Sequence, residues 1–138
     1  MDLMEKQAIL ELIAKAAYGF DEADIEMLRD VFTENSKFII NIEGEDAASV
    51  YEGHDAIMKL QIDALKVQTD KRRHVVTNSF FIEEKAHRAQ LISNVLITSV
   101  ENSVIRLVTS GVYKDEVVLE DGRWKIHTRT LNLDMSYA

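Results

Sequence analysis

From His74 to Leu133 the chain is a series of long β-prone runs joined by short polar turns, and no other stretch restricts the fold as much. His74–Glu83, His87–Val100, Val104–Leu119 and Arg123–Leu133 are rich in Val, Ile, Thr and aromatic residues, which suit a pleated and half-buried surface. Glu84-Lys85-Ala86, Glu101-Asn102-Ser103 and Glu120-Asp121-Gly122 separate them, and Asp-Gly between extended runs is a strong hairpin signal. Connections this short cannot carry a parallel crossover, so each run pairs antiparallel with the one before.

The first half reads differently. Ile9, Leu12, Ile13, Ala16, Ala17 and Phe20 recur at helical spacing, predicting an amphipathic helix from about residue 3 to residue 20 that stops near Gly19-Phe20-Asp21. Asp24 is placed to cap a second helix, Ile25–Phe32, with Ile25, Leu28, Val31 and Phe32 buried. Lys37–Ile42 reads as a strand and Ser49–Glu52 as a further short one. Gly53-His54-Asp55 opens a third helix, with Ile57, Leu60, Ile62 and Leu65 as its inner side. Helices set apart from an antiparallel sheet define an α+β domain, here a single one over residues 1–138.

Composition narrows the function classes. With no cysteine there are no disulfides, thiolate metal sites or cysteine nucleophiles. A net charge of −8 opposes nucleic-acid binding, and the one basic cluster, Lys71-Arg72-Arg73, is too short to reverse it. No apolar run approaches the roughly 20 residues of a membrane helix, and Met1–Lys6 lacks the layout of a signal peptide, so the expected location is cytoplasmic. His54, His87 and His127 are scattered without metal-ligand spacing, and there is neither a glycine-rich phosphate loop nor a GxSxG elbow. The expectation is a protein without metal or cofactor.

Several patterns together resemble the SnoaL-like branch of the nuclear transport factor 2-like superfamily. Gly111-x-Tyr113-x-Asp115 followed by Asp121-Gly122-x-Trp124-Lys125-Ile126 and Arg129 resembles its last hairpin. Tyr18-x-x-Asp21-x-x-Asp24-x-x-x-Leu28-x-x-x-Phe32 resembles its opening helices, Gly53–Ile57 the start of its third helix, and Arg73-His74-x-x-x-Asn78 the start of its long strand. The resemblance spans nearly the whole chain. It implies a cone-like, curved, antiparallel or mixed sheet wrapped around the N-terminal helix, a cystatin-like α+β barrel with a pocket at its wide end. It also implies an Asp–His pair of the kind used by scytalone dehydratase and lindane dehydrochlorinase, which falls here on Asp21 and His74. One departure is Phe20, where scytalone dehydratase has tyrosine. A scaffold of this kind hosts many chemistries, so it does not choose among them.

Each candidate has two readings. His74 is a general base, since an imidazole with an ordinary pKa near ~6.5 accepts a proton near neutral pH, or it is a strand-edge residue. Asp21 orients that ring, or it ends a helix. Tyr18, one helical turn before Asp21, and Tyr51 are ligand contacts or core aromatics. Arg129 can neutralise a developing anion, yet strict alternation puts it on the face opposite Trp124, outside unless a bulge intervenes. Asp115-Glu116 with Glu120-Asp121 reads as a solvated hairpin end.

These readings lead to a cofactor-independent lyase or isomerase of the dehydratase, cyclase or ketosteroid-isomerase kind. Its ligand is expected to be a hydrophobic, cyclic small molecule. The alternative is a non-catalytic ligand-binding or dimerisation module. Strand residues 90–97 are apolar or mixed on both faces, which predicts a homodimer through the sheet.

Overall fold

A computed structural model describes residues 1–137. The elements run α1 (Leu3–Asp21), α2 (Ile25–Val31), β1 (Phe32–Ile42), β2 (Ser49–Glu52), α3 (His54–Val67), β3 (Lys71–Glu84), β4 (Arg88–Glu101), β5 (Val104–Glu120) and β6 (Arg123–Leu133). One six-stranded sheet has the order β2-β1-β6-β5-β4-β3. The meander β3 to β6 is antiparallel throughout, and β6 then pairs parallel with β1. The sheet is mixed and curved but not closed: β2 and β3 are free edges, so the expected barrel is an open one.

Local chemistry accounts for the helix ends. Asp2 and Glu5 form a reciprocal capping box at the start of α1. Asp24 caps α2 by accepting from the Met27 N–H at 3.1 Å. Gly53, at φ +94°, is the uncapped entry to α3, a backbone conformation that a side chain would strain.

Curvature follows from how α1 is held. The helix contacts both β3, at the sheet edge, and β6, three strands away, so the sheet must bend around it. Extra residues in the ladders supply the bend. β3 takes three steps from Thr77 to Phe80 where β4 takes two, with Asn78 at φ 58°. Val108 is the surplus residue of β5 against β4, and His127 that of β6 against β5. Each such bulge bends the strand and moves the next side chain to the other face.

The core joins one side of α1 (Ile9, Leu12, Ile13, Ala16) to Phe32 and Ile57 and to the concave face of the sheet, including Leu91, Val95, Ile97, Val117, Ile126 and Leu131. Large side chains on the first part of α1 fill this space. Ala16 and Ala17, further along, do not, and a cavity opens beside them.

Two strand starts and the buried face of one helix differ from the sequence reading. β1 begins at Phe32, where the first residues form an irregular stretch before regular pairing resumes at Lys37. β3 begins at Lys71 because Lys71, Arg72 and Arg73 already pair with Val100, Ser99 and Thr98. In α3 the buried residues are Ile57, Met58 and Gln61, whereas Leu60 faces the cavity and is only half-buried.

At Gly111 the two strands approach closely: a Cβ there would collide with the Asn132 carbonyl oxygen of β6. Gly111→Ala should cost about 1–3 kcal/mol through overpacking between β5 and β6. Chemical denaturation checks this, and an unchanged midpoint would contradict it.

Candidate active site

The cavity has a volume of about 450 Å³ and lies between the C-terminal half of α1, α3 and the concave sheet face. Its wall is apolar in the middle, with Ala16, Ala17, Phe20, Phe38, Ile40 and Leu60, and carries titratable groups on three sides. A more open groove of about 530 Å³ runs between α1, α2 and the β5–β6 turn. Its charges engage one another, as in Arg123–Asp30 and Lys15–Glu11.

On the first side, the end of α1 meets the start of β3. The Asp21 carboxylate spans residue His74: Oδ2 accepts from the His74 backbone N–H at 2.8 Å, and Oδ1 lies 2.7 Å from ring Nδ1. The pair is nearly buried, with side-chain exposures of 5% for Asp21 and 13% for His74, which excludes most competing water. Phe20 packs edge-on against the ring at 5.3 Å and 83°, limiting its rotation. An ionised Asp21 selects the tautomer with the proton on Nδ1, leaving Nε2 as the basic atom of the ring. Asp21 is the last residue of α1, yet its carboxylate caps nothing, because Asp24 performs that task for α2.

On the second side, deep in the cavity, Arg129 donates from Nε and Nη2 to the two Asp115 oxygens at 2.7 and 3.1 Å. Its guanidinium sits 3.8 Å above the Tyr113 ring centroid. Burial works against the guanidinium charge, but Asp115 and Tyr113 outweigh it and hold the Arg129 pKa above its usual value. Burial likewise raises the Tyr113 phenol.

One sequence reading is corrected here, and the bulge that the other allowed for is present. Asp115 is fully buried, not part of a solvated hairpin end. Arg129 faces inward with Trp124, because the surplus residue His127 inverts the alternation between them.

The third side is the rim, where the Asp70 carboxylate accepts from Arg72 Nε at 3.0 and 3.2 Å and from the Ser99 hydroxyl. The Ser99 hydrogen bond and then Arg72 hold the Asp70 carboxyl below its usual range. The C-terminal segment crosses nearby. Asp134 N–H donates to the Ser110 carbonyl at 2.8 Å, Thr109 Oγ1 donates to the Met135 carbonyl at 2.7 Å, and Tyr137 then lines the cavity.

The two expected tyrosines lie elsewhere. Tyr18 is 56% exposed and Tyr51 sits half-buried against Phe38 on β1, and neither lines the cavity. The aromatic hydroxyls that do are Tyr113 and Tyr137. Tyr113 stood in the last-hairpin pattern, but its orientation depends on strand register; Tyr137 lay in a short tail with no periodicity to read. Gln61, buried on α3, also lines the cavity, and its Oε1 has no hydrogen-bond partner among the described residues.

Two of the three remaining histidines, His127 and His54, have structural partners. His127 Nδ1 lies 3.0 Å from Thr33 Oγ1, and His54 Nε2 lies 2.7 Å from the Arg29 carbonyl. Among the described residues no group of three His, Asp or Glu side chains is arranged to hold a metal ion, and no helix is long and apolar enough to cross a membrane.

A family model described as "SnoaL-like domain" matches residues 1–130. No curated protein matches. Among solved structures, a Mycobacterium tuberculosis protein of unknown function is 25% identical, with a TM-score of 0.82 over 95% of this chain and 72% of its own. LinA is 23% identical, with a TM-score of 0.79 over 96% of this chain and 86% of its own. A candidate scytalone dehydratase from Novosphingobium aromaticivorans is 24% identical, with a TM-score of 0.79 over the same two shares, 96% and 86%. The likeness to the last two shows the fold alone.

Tyr137 gives the site a pH signature. Burial pushes its phenol up to about 12, against an unfolded value near ~10. Between these values the folded chain binds more protons than the unfolded one, so stability falls as pH rises through that window. Tyr137→Phe should flatten that alkaline loss. Denaturation midpoints measured across the window test this, and equal slopes for the two proteins would rule it out.

Proposed function

The chain belongs to the SnoaL-like family, and from that premise we propose that it is a cofactor-independent lyase or isomerase acting on a hydrophobic, cyclic small molecule. The observation that carries this reading is the contact of Asp21 with His74 on the wall of a largely apolar cavity. His74 Nε2 takes a proton from an activated carbon of the substrate. Asp21 keeps the ring in the required tautomer and stabilises the imidazolium that forms. Elimination, double-bond migration or ring closure follows, according to what the substrate can expel.

The deep end of the cavity suits the negative charge that develops. Arg129 is fixed by Asp115 and by the face of Tyr113, and its Nη1, which makes no hydrogen bond among the described residues, is left to donate to an enolate or departing anion. Gln61 offers a further polar contact for orienting a bound ring. Tyr18 and Tyr51, outside the cavity, have no part in this scheme.

The test is proton exchange in deuterated water with a panel of cyclic ketones and cyclic β-hydroxy ketones, followed by NMR. His74→Ala should lower the exchange rate roughly 10²–10⁴-fold, and Asp21→Asn should lower it as well, with both variants retaining wild-type circular dichroism. Exchange that survives in His74→Ala would sink the mechanism. If panel members instead raise the melting temperature of wild type and His74→Ala equally, without turnover, the non-catalytic binding reading takes its place.

The apolar outer face of β3 and β4 supports a homodimer. Val75 pairs with Leu96, and Phe80 with Ile92, on the convex side. Val75 and Leu96 are each 41% exposed and Phe80 is 54% exposed. Light scattering should return twice the chain mass of 15.7 kDa, and Leu96→Lys should return the single-chain mass. A monomeric wild type would refute the dimer.

A further inference from the structure

Strand register brings two arginines to the mouth of the cavity. Arg72 on β3 stands opposite Ser99 on β4, and Ser99 stands opposite Arg106 on β5. The three form one row across neighbouring strands on the concave face, and Arg72 and Arg106 both line the cavity. Adjacent strands are about 4.8 Å apart, so the arginine backbones are separated by about 10 Å, a gap their side chains can close from both sides of the small serine.

The two guanidiniums are held differently. Asp70 takes the Nε edge of Arg72 with both oxygens and also accepts from Ser99, which fixes the guanidinium plane. Neither Nη atom of Arg72 makes a hydrogen bond among the described residues, so that edge is left for a second oxyanion. Arg106 forms no ion pair among the described residues, in a chain whose acids outnumber its basic residues 24 to 16. Glu101, the other acid on this rim, is engaged by the Thr69 hydroxyl at 2.7 Å. Arg72 lies two residues before His74 on the same face of β3. At a strand rise of about 3.3 Å per residue, the row is about 7 Å from the proposed base.

We infer that this row is an anion subsite and that the substrate is an amphipathic organic acid. Its carboxylate, or a similar oxyanion, docks between Arg72 and Arg106. Its apolar body passes Phe38, Ile40 and Leu60 and brings a carbon to His74. A planar guanidinium with one edge already committed presents its other edge to a carboxylate in fixed orientation. Such an anchor at one end and a base about 7 Å along would select substrates by length as well as by charge. The inference rests on the proposed function for its choice of base, but the binding preference does not require turnover.

The experiment is calorimetric binding of two matched pairs, 2-naphthoate with 2-naphthamide and cyclohexanecarboxylate with cyclohexanecarboxamide. In wild type the acid of each pair should bind roughly tenfold tighter than the neutral amide, and the ratio should shrink as ionic strength rises. Arg106→Gln, at an exposed position whose loss threatens no buried partner, should bring the ratio close to one while leaving amide binding unchanged. His74→Ala should keep the wild-type ratio. Equal binding of acid and amide by wild type overturns the subsite and leaves the lyase or isomerase reading intact. A preference that persists in Arg106→Gln overturns the assignment to this row. If no probe binds wild type, the ligand cavity itself is refuted, and the subsite with it.

Discussion

A sheet that must bend around one helix cannot keep a regular ladder, and most of what gives this molecule a site follows from that constraint. The helix touches the edge strand β3 and the inner strand β6 together, and surplus residues in β3, β5 and β6 accommodate the bend. Because side chains alternate along a strand, each surplus residue is also a change of face. At His127 that change takes a charged side chain that would have met solvent and aims it into the interior. Asp115, opposite Arg129 in the β5–β6 register, makes this tolerable, since a lone buried guanidinium would be very costly. The bend and the buried pair are therefore two aspects of one arrangement.

How far the chain could be read in advance follows from the same physics. The antiparallel meander, the first helix and the Asp24 cap are local matters of pattern and turn chemistry, and they stand where the residues put them. Asp21 and His74, far apart in sequence, were paired through family resemblance, and their contact is plain only once α1 and β3 meet. The inward turn of Arg129 and the burial of Asp115 were not legible, because one surplus residue in a ladder leaves no mark on hydrophobic periodicity. Tyr137 was illegible for another reason: four residues after Leu133 there is no repeating pattern to interpret. Tyr18 shows the converse error, a residue on the helical turn before Asp21 whose direction departs from the cavity by enough to leave it in water.

The cavity owes its shape to what is missing as much as to what is present. Ile9, Leu12 and Ile13 close the space along the first half of α1, and two alanines leave it open further on. Polar groups gather around this gap in separately satisfied clusters: Asp21 with His74, Arg129 with Asp115, and Asp70 with Arg72 and Ser99. Each cluster is held by hydrogen bonds among its own members, which fixes the geometry of the wall. That favours a preorganised site over one assembled on contact.

The parallel pairing of β6 with β1 has a consequence for how the molecule comes to exist. β6 is the last strand in sequence but an inner strand of the sheet, the sole link between the β1–β2 pair and the β3–β5 meander. Until it inserts, β1 and β5 each present an unsatisfied edge, the kind of surface on which chains associate wrongly. Its partner β1 is far upstream, so closing that pair is a slow, non-local step. Arg129 travels with the inserting strand. The first helix and the local hairpins can thus form before the floor of the cavity, which waits for β6 to insert between β1 and β5.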